Sequence, residues 1–136
     1  MLKFELTTNS GAAFNLATSG TYLLTSLSAA AIFALLLLAR RINLSSAQPW
    51  ALPLGLALGG IMGNLSDRIF RAPGIFHGSV VDWIRLPHWP TFNIADSSLV
   101  VAAGITLYLI SKGLSPWADP SDDSRNDEIN SSISKR

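Results

Sequence analysis

The chain has 136 residues, of which 49% are hydrophobic and only 14% are charged, and its formal net charge is +1. This length allows one domain at most, and so apolar a composition is unusual in a water-soluble domain and predicts a membrane protein. The near-neutral charge argues against a nucleic-acid partner, and the lack of cysteine in the sequence excludes disulfides, thiolate nucleophiles and cysteine-bound metals.

Near the amino terminus, the string NSGAAF at residues 9–14 combines Asn9, Gly11 and two alanines. Asn and Gly favour tight turns, and small residues allow another backbone to approach closely. The residue types alone therefore predict a turn.

The first long apolar segment covers residues 21–39 and ends at Arg40 and Arg41. A bilayer core about 30 Å thick needs roughly 20 apolar residues in a helix. Two arginines cannot follow such a segment into hydrocarbon cheaply. We therefore predict a transmembrane helix over residues 21–39.

The second apolar segment covers residues 49–66 and begins at Pro49, which suits the first position of a helix. Gly55, Gly59 and Gly63 recur at every fourth position. This spacing is typical of a seam between packed membrane helices, because lipid gives helices no hydrophobic drive to associate. We predict a second transmembrane helix that packs through these glycines.

The third apolar segment covers residues 95–111 and stops at Lys112 and Gly113, which predicts a third transmembrane helix. Residues 115–136 are rich in Ser, Asp, Asn and Pro and show no apolar period, so they are predicted to be a disordered tail. The membrane domain then covers residues 1–114.

The positive charges predict the orientation of the spans. Arg40 and Arg41 flank a short loop that favours the cytoplasm, and Lys112 would lie on the same side, together with the tail. Residues 67–94 then form an extracytoplasmic loop. The three arginines of that loop oppose the charge rule unless carboxylates pair with them.

Three spans place the amino terminus outside, although residues 1–20 contain no apolar run that could act as an export signal. We expect either that the start lies downstream of the true one, which removes a first helix, or that the chain is a three-span variant or a natural fragment.

Between Glu5 and Asp119, every carboxylate lies in one of three strings, which are GNLSDR at 63–68, VVDW at 80–83 and FNIADS at 92–97. Ionisable groups at the edge of the hydrocarbon layer are costly and by default mark a functional site with partners. The predicted helices bring these three aspartates, with two asparagines and an arginine, to one membrane face.

Asp82 is surrounded in the sequence by Val80, Val81 and Trp83, and an apolar neighbourhood raises the pKa of a carboxyl group. If Asp96 lies within hydrogen-bonding distance, the two groups cannot comfortably both ionise and will share one proton. The ionised carboxylate can then take a proton from water while the protonated one polarises a peptide carbonyl. This is the chemistry of an aspartyl peptidase, and it needs no metal or cofactor.

Each of the other acidic strings also has a structural interpretation. Asn93 and Asp96 fit the N-cap and third position of the third helix. Asp67 fits a surface ion pair with Arg68 or Arg71 at a helix end, and for Asp67 we favour this interpretation.

The sequence offers few residues for other catalytic mechanisms. His77 and His88 lack the short helical spacing of a zinc motif. A serine mechanism needs a base beside Ser97 or Ser98, and the sequence does not indicate which histidine could reach them. We interpret both serines as part of a helix start.

Together, four strings resemble the lipoprotein signal peptidase family, also called signal peptidase II, over residues 1 to about 113. The family pattern Asn-x-Gly-Ala-Ala-Phe matches residues 9–14, and Gly-Asn-x-x-Asp-Arg matches residues 63–68. Asp82 lies in a Val-Val-Asp-aromatic string and Asp96 in a Phe-Asn-x-Ala-Asp-Ser string, in the same order as in the family.

The resemblance implies that Asp82 and Asp96 are the catalytic pair. It implies that four further polar residues line the site and position the pair or the substrate, namely Asn9, Asn64, Arg68 and Asn93. It also implies a mainly α-helical, polytopic membrane bundle, with four spans in the family and three here. A small extracytoplasmic β-sheet cradle would correspond to residues 2–17, where KFELT alternates like a strand.

The implied substrate is a prolipoprotein with a diacylglyceryl-modified cysteine, cut on the amino side of that cysteine. The implied enzyme is a multi-pass monomer of the bacterial plasma membrane, in contact with lipid, with its site at the extracytoplasmic face and without a cofactor. The inserted string RAPGIFHG at 71–78 is expected to belong to a loop that closes over the site. The chain departs from the family pattern in its missing first span.

Two other functions remain open from the residues alone. A non-enzymatic membrane subunit could use Asp82, Asp96 and Arg68 as a proton or ion relay. An inactive relative could still bind lipidated precursors. Pairing separates the first alternative from a peptidase, because hydrolysis requires two carboxyl groups that face one water.

Overall fold

The computed structural model describes residues 2–9, 17–42, 48–72, 74–117 and Ile133. In chain order, its elements are β1 (Lys3–Asn9), α1 (Ala17–Arg41), α2 (Gln48–Phe70), β2 (Val80–Arg85) and α3 (Ile94–Ser111). The predicted class, mainly helical with a small sheet, is confirmed.

Two helices in the described part of the chain are long and apolar enough to cross a membrane. They are Gly20–Arg41, with a mean hydropathy of 2.2, and Ile94–Ser111, with a mean hydropathy of 1.7. Hardly any of either segment is buried within the protein, so their apolar side chains face outward, as lipid requires. They cover the predicted spans at residues 21–39 and 95–111.

Helix α2 covers the predicted segment 49–66 and continues to Phe70. Its glycines, two prolines and Asn64 lower its hydropathy, and α2 is not among the described helices that are apolar enough to be membrane-span candidates. That α2 crosses the membrane therefore stays a prediction, as does the count of three spans.

Helix α2 lies between the other two helices and packs most extensively on α3. A Cβ atom at Gly60 would lie 2.6 Å from the carbonyl oxygen of Ala95 and 2.8 Å from Cγ of Leu99. At Gly55 and Gly59 it would meet no described atom within 4 Å. The predicted glycine seam is therefore wrong at Gly55 and Gly59.

Close packing instead uses Gly60 and Gly63, and a Cβ at Gly63 would lie 3.2 Å from Cβ of Ala95. These two glycines allow α2 to approach the first turn of α3, which is where the candidate site lies.

At the opposite end, the three helices share a small apolar core. Ile42, Trp50 and Leu109 are buried together, with Leu38, Leu54 and Ile105 packed around them. These residues come from the end of α1, the start of α2 and the end of α3. This core holds the helices together at one end, whereas polar groups connect them at the other end.

Strands β1 and β2 form an antiparallel pair in which Lys3 lies opposite Arg85, Thr7 opposite Asp82, and Asn9 opposite Val80. The register shifts between Phe4 and Thr7. Two residues of β1 therefore face one residue of β2 there, as in a β-bulge.

Strand β2 lies inside the region predicted as a loop, residues 67–94, so that prediction missed a strand. Its other edge bonds Phe92, whose amide donates to the Ile84 carbonyl at 3.0 Å. The sequence signal was present, because Val80, Val81 and Trp83 are strand-forming residues.

Only part of the predicted cradle at residues 2–17 can be compared with the structure. Lys3–Asn9 forms a strand and Ala17 already belongs to α1, whereas residues 10–16 lie outside the described residues. Most of the predicted tail at 115–136 also lies outside them.

Candidate active site

Helix α3 begins at Asn93 with a capping box. The Asn93 side-chain oxygen accepts from the Asp96 amide at 3.0 Å, and the Asp96 carboxylate accepts from the Asn93 amide at 3.2 Å. These bonds satisfy backbone donors that have no partner within the helix. The capping interpretation of this string is therefore correct, and it fixes both side chains at the helix start.

The same two residues also link the helix to the rest of the site. Asn93 Nδ2 donates to Asp82 Oδ1 at 2.8 Å and to Asn64 Oδ1 at 3.1 Å. Asn64 Nδ2 donates in turn to Asp96 Oδ1 at 2.8 Å. Two asparagine amides thus bridge Asp82 and Asp96, and the three acidic strings of the sequence meet at one place.

Asp82 is the most buried member of this cluster, with 3% of its surface exposed. Burial raises the pKa of the Asp82 carboxyl group, because the charged form loses water. Hydrogen bonds from Asn93 and Asn9 oppose this shift, as does the positive charge of Arg68, whereas the Asp96 carboxylate adds to it. The net result is that Asp82 keeps its proton to a higher pH than an exposed aspartate does.

Arg68 projects from the last turns of α2 and is 7% exposed. Its positive charge acts on both Asp82 and Asp96. Its Nη1 atom is buried and finds no hydrogen-bond partner in the described part of the chain. A buried, charged donor without a partner is costly, so this atom is a candidate for contact with a bound group.

Asp67 has a larger structural role than a surface ion pair. Its Oδ1 does pair with Nε of Arg71, at 2.6 Å, but its Oδ2 accepts from the backbone amide of Val81 at 3.1 Å. Val81 directly precedes Asp82 in β2. Asp67 therefore ties the end of α2 to the strand that carries Asp82, a link that the sequence analysis missed.

Gly78 makes a second link between α2 and β2. Its amide donates to the Arg68 carbonyl at 2.9 Å. A Cβ at this position would lie 2.9 Å from the carbonyl oxygens of Arg68 and Arg71, and closer still to that of Asp67. Since real Cβ atoms do not come so near to backbone oxygens, only glycine allows the chain to enter β2 at this point.

The family of the chain follows from comparison with known proteins. The sequence model of the family described as "Signal peptidase (SPase) II" matches residues 1–112. The chain belongs to the signal peptidase II family. The resemblance of the four sequence strings to this family is confirmed.

Relatives in the signal peptidase II family are close in sequence. The lipoprotein signal peptidase of Streptomyces coelicolor is 45% identical over 115 residues, which are 85% of this chain and 55% of the relative. The lipoprotein signal peptidase of Mycobacterium tuberculosis H37Rv is 47% identical over 109 residues, or 79% of this chain and 52% of the relative. The chain thus spans about half the length of these relatives.

A solved bacterial membrane enzyme, determined by the in meso method at 1.9 Å resolution, shares the fold with a TM-score of 0.70. It is 24% identical, and the match covers 80% of this chain and 68% of that one. At this identity the likeness shows a shared fold, and the two long apolar helices of this signal peptidase II chain fit a membrane protein.

The alternative catalytic groups of this signal peptidase II chain lie outside the cluster or belong to the helix start. The His77 ring contacts the Tyr22 ring at 4.0 Å. Ser97 and Ser98 donate to the carbonyls of Asn93 and Ile94, both at 2.9 Å. Among the described residues, no group of three or more His, Cys, Asp or Glu side chains is arranged to hold a metal ion.

Proposed function

We propose that this chain carries the active site of an aspartic endopeptidase that removes signal peptides from bacterial prolipoproteins. The observation that carries the proposal is the pair of aspartates, Asp82 and Asp96, bridged by the amides of Asn64 and Asn93. Both the family and the names of the relatives support this activity.

In the proposed mechanism, Asp82 is the protonated member of the pair because its burial favours the neutral acid. Asp96 acts as the base in this proposal, and its two oxygens accept from Asn64 and from the Asn93 backbone. A water between the carboxyl groups gives a proton to Asp96, and its oxygen attacks the scissile carbonyl carbon while Asp82 protonates the carbonyl oxygen. The carbon–nitrogen bond then breaks, and the leaving amine takes the proton that Asp96 accepted. As the carbon–oxygen double bond re-forms, Asp82 takes back a proton from the hydroxyl group, so both carboxyl groups return to their starting states.

Arg68 supports the same step through its unpaired Nη1 atom. The geometry is suited to a donor that binds a substrate carbonyl or reduces the negative charge that develops in the transition state. Asn9 completes the group by a side-chain hydrogen bond to Asp82, which holds that carboxyl group in place. No cofactor takes part in this mechanism.

The proposed substrate carries a diacylglyceryl-modified cysteine and is cut on the amino side of that cysteine. The lipid would keep the substrate in the membrane, so the scissile bond would arrive at the end of the helix bundle where α2 ends and α3 begins. We place this end at the extracytoplasmic face of the bacterial plasma membrane, in a monomeric enzyme. The bridged pair favours hydrolysis over an ion relay. The proposed hydrolysis requires two carboxyl groups that face one water, whereas a relay does not.

The test is cleavage of a synthetic diacylglyceryl prolipoprotein peptide by the protein reconstituted in vesicles. Asp96→Asn and Asp82→Asn should each abolish cleavage. Glu5→Gln makes the same acid-to-amide change in an exposed ion pair with Arg85 and should leave cleavage unchanged. Thermal unfolding should show that all three variants remain folded.

Substantial cleavage by folded Asp96→Asn or Asp82→Asn would contradict the proposal, because either variant leaves one carboxyl group without its partner. Binding of the lipopeptide without cleavage by the unaltered protein would instead support the inactive relative.

A further inference from the structure

Three large apolar side chains are exposed where the chain passes from α2 to β2. They are Phe70, Ile75 and Phe76, which are 81%, 69% and 47% exposed. We call them the apolar turn. A cluster of exposed apolar side chains marks a surface that has a partner.

The apolar turn is attached to the start of a membrane-span candidate. Thr25 Oγ1 donates to the Phe76 carbonyl at 3.3 Å, and the His77 ring contacts the Tyr22 ring at 4.0 Å. The span begins at Gly20, so Thr25 lies about 8 Å along the helix from its beginning. The turn therefore lies level with the first two helical turns of the span, which is the depth of the boundary between headgroups and acyl chains.

The backbone of this region is compatible with that boundary. The His77 amide donates to the Gly74 carbonyl at 3.0 Å, and the Ser79 amide donates to the Ala72 carbonyl at 3.3 Å. The Phe76 carbonyl accepts from Thr25. Because these backbone groups already have hydrogen-bond partners, moving the turn out of water does not leave them unsatisfied.

A charged side chain flanks the turn without opposing insertion. Arg71 is half exposed and ion-paired with Asp67, and a long arginine side chain can keep its charged end at the interface while its stem lies along apolar surface. Apolar side chains next to an interfacial arginine are typical of segments that lie in the plane of a membrane surface.

From these observations we infer that Phe70, Ile75 and Phe76 insert into the lipid leaflet on the side of Asp82 and Asp96, and anchor β2 at a fixed depth. The turn leads through Gly78 directly into the strand that carries Asp82. The anchoring stands independently of the proposed function. Its consequence, a fixed height of Asp82 relative to the lipid, matters for cleavage only if that function is correct.

The sequence contains no cysteine, so single cysteines can be introduced and labelled without background. We would attach a nitroxide at Ile75→Cys in vesicles of phosphatidylethanolamine and phosphatidylglycerol. The accessibility of the label to oxygen, which concentrates in hydrocarbon, is then compared with its accessibility to a water-soluble nickel chelate. Val101→Cys, at an exposed position near the middle of α3, and Ser115→Cys, beyond the end of α3, provide the two depth standards.

The label at Ile75 should be several-fold less accessible to nickel than the label at Ser115, and less accessible to oxygen than the label at Val101. Equal nickel accessibility at Ile75 and Ser115 would place the turn in water and overturn the inference. Because the measurement requires no cleavage, it can fail or succeed separately from the proposed function.

A second experiment identifies what the apolar turn contacts. The double variant Ile75→Ser with Phe76→Ser should shift a label at Phe70→Cys toward water in vesicles that contain no substrate. If the label at Phe70 is in water in those vesicles and becomes shielded only when a diacylglyceryl peptide is added, the apolar turn binds the acyl chains of the substrate. That result would also overturn membrane anchoring.

Discussion

The two ends of the helix bundle are held together by different kinds of contact. At the apolar end, Ile42, Trp50 and Leu109 pack without any required direction. At the polar end, each amide of Asn64 and Asn93 donates to a particular carboxyl group. Packing contacts tolerate small shifts, whereas a hydrogen bond fails beyond a few tenths of an ångström, so the two ends should respond differently to substitution.

Among substitutions outside the proposed catalytic pair, the largest effect is expected from Gly78→Ala. The added methyl group would overlap backbone oxygens at the end of α2, so β2 and Asp82 must move. A displacement of about 1 Å at reacting groups can cost about 100-fold in rate, and cleavage should fall by at least that factor. Steady-state assay of the reconstituted protein measures the loss.

The matched control is Gly74→Ala, where an added Cβ meets no described atom within 4 Å. This variant should retain most of its activity. Similar activity in the two variants would show that the Gly78 contact does not position Asp82.

At the apolar end, Leu109→Ala should destabilise the protein without changing the chemistry. Leu109 is buried in the core, and removal of its side chain should cost about 2 kcal/mol. Thermal unfolding in detergent should show the loss, while cleavage below the unfolding transition should remain near normal. Leu107→Ala, on an exposed position of the same helix, should leave stability unchanged. If Leu109→Ala loses activity at temperatures below its unfolding transition, the two ends of the bundle do not differ in the way described.

A smaller effect separates the two contacts of Asp67. Asp67→Ala removes the acceptor of the Val81 amide and should lower cleavage by about tenfold, because a partly buried hydrogen bond to a charged group is lost. Asp67→Asn keeps an acceptor oxygen and should recover much of this loss. Arg71→Gln removes only the exposed ion pair and should change activity by less than about twofold.

If Arg71→Gln is as impaired as Asp67→Ala, the ion pair matters and the Val81 bond does not. Separate measurement of kcat and KM in the three variants adds a second criterion. A positioning role predicts that kcat falls, whereas substrate affinity changes little.

The smallest expected effect is a shift in the pH profile. The proposed mechanism uses a protonated Asp82, so activity should fall as pH rises through the raised pKa of that group. The Asn9 side chain stabilises the ionised form, so Asn9→Ala should raise the pKa of Asp82 further and move the alkaline limb of the profile to higher pH. A shift toward lower pH would show that Asn9 stabilises the protonated form instead.

The sequence predicted the features that depend on local pattern. Long apolar runs located α1 and α3, and the string around Asn93 correctly indicated a helix cap. The clustering of carboxylates indicated where polar groups would meet, although the catalytic roles of Asp82 and Asp96 stay predictions.

The features that sequence analysis missed depend on pairing between distant segments. Strand β2 finds its partner about 80 residues earlier in the chain, as the bond between Arg85 and Glu5 shows. The bond from Val81 to Asp67 and the tight space around Gly78 likewise depend on where α2 ends relative to β2. The glycine seam was misplaced because spacing does not reveal which face of α2 meets α3. The side of the membrane on which the site lies stays a prediction.

The capping box at Asn93 has a consequence for how the protein would fail. Asn93, which caps α3, also bonds Asp82, and Asp96 bonds the cap in return, so the first turn of this helix cannot fray while the proposed catalytic pair stays bridged. Warming or mild detergent stress should therefore end the proposed cleavage activity through local melting at this helix end, well before the helices come apart.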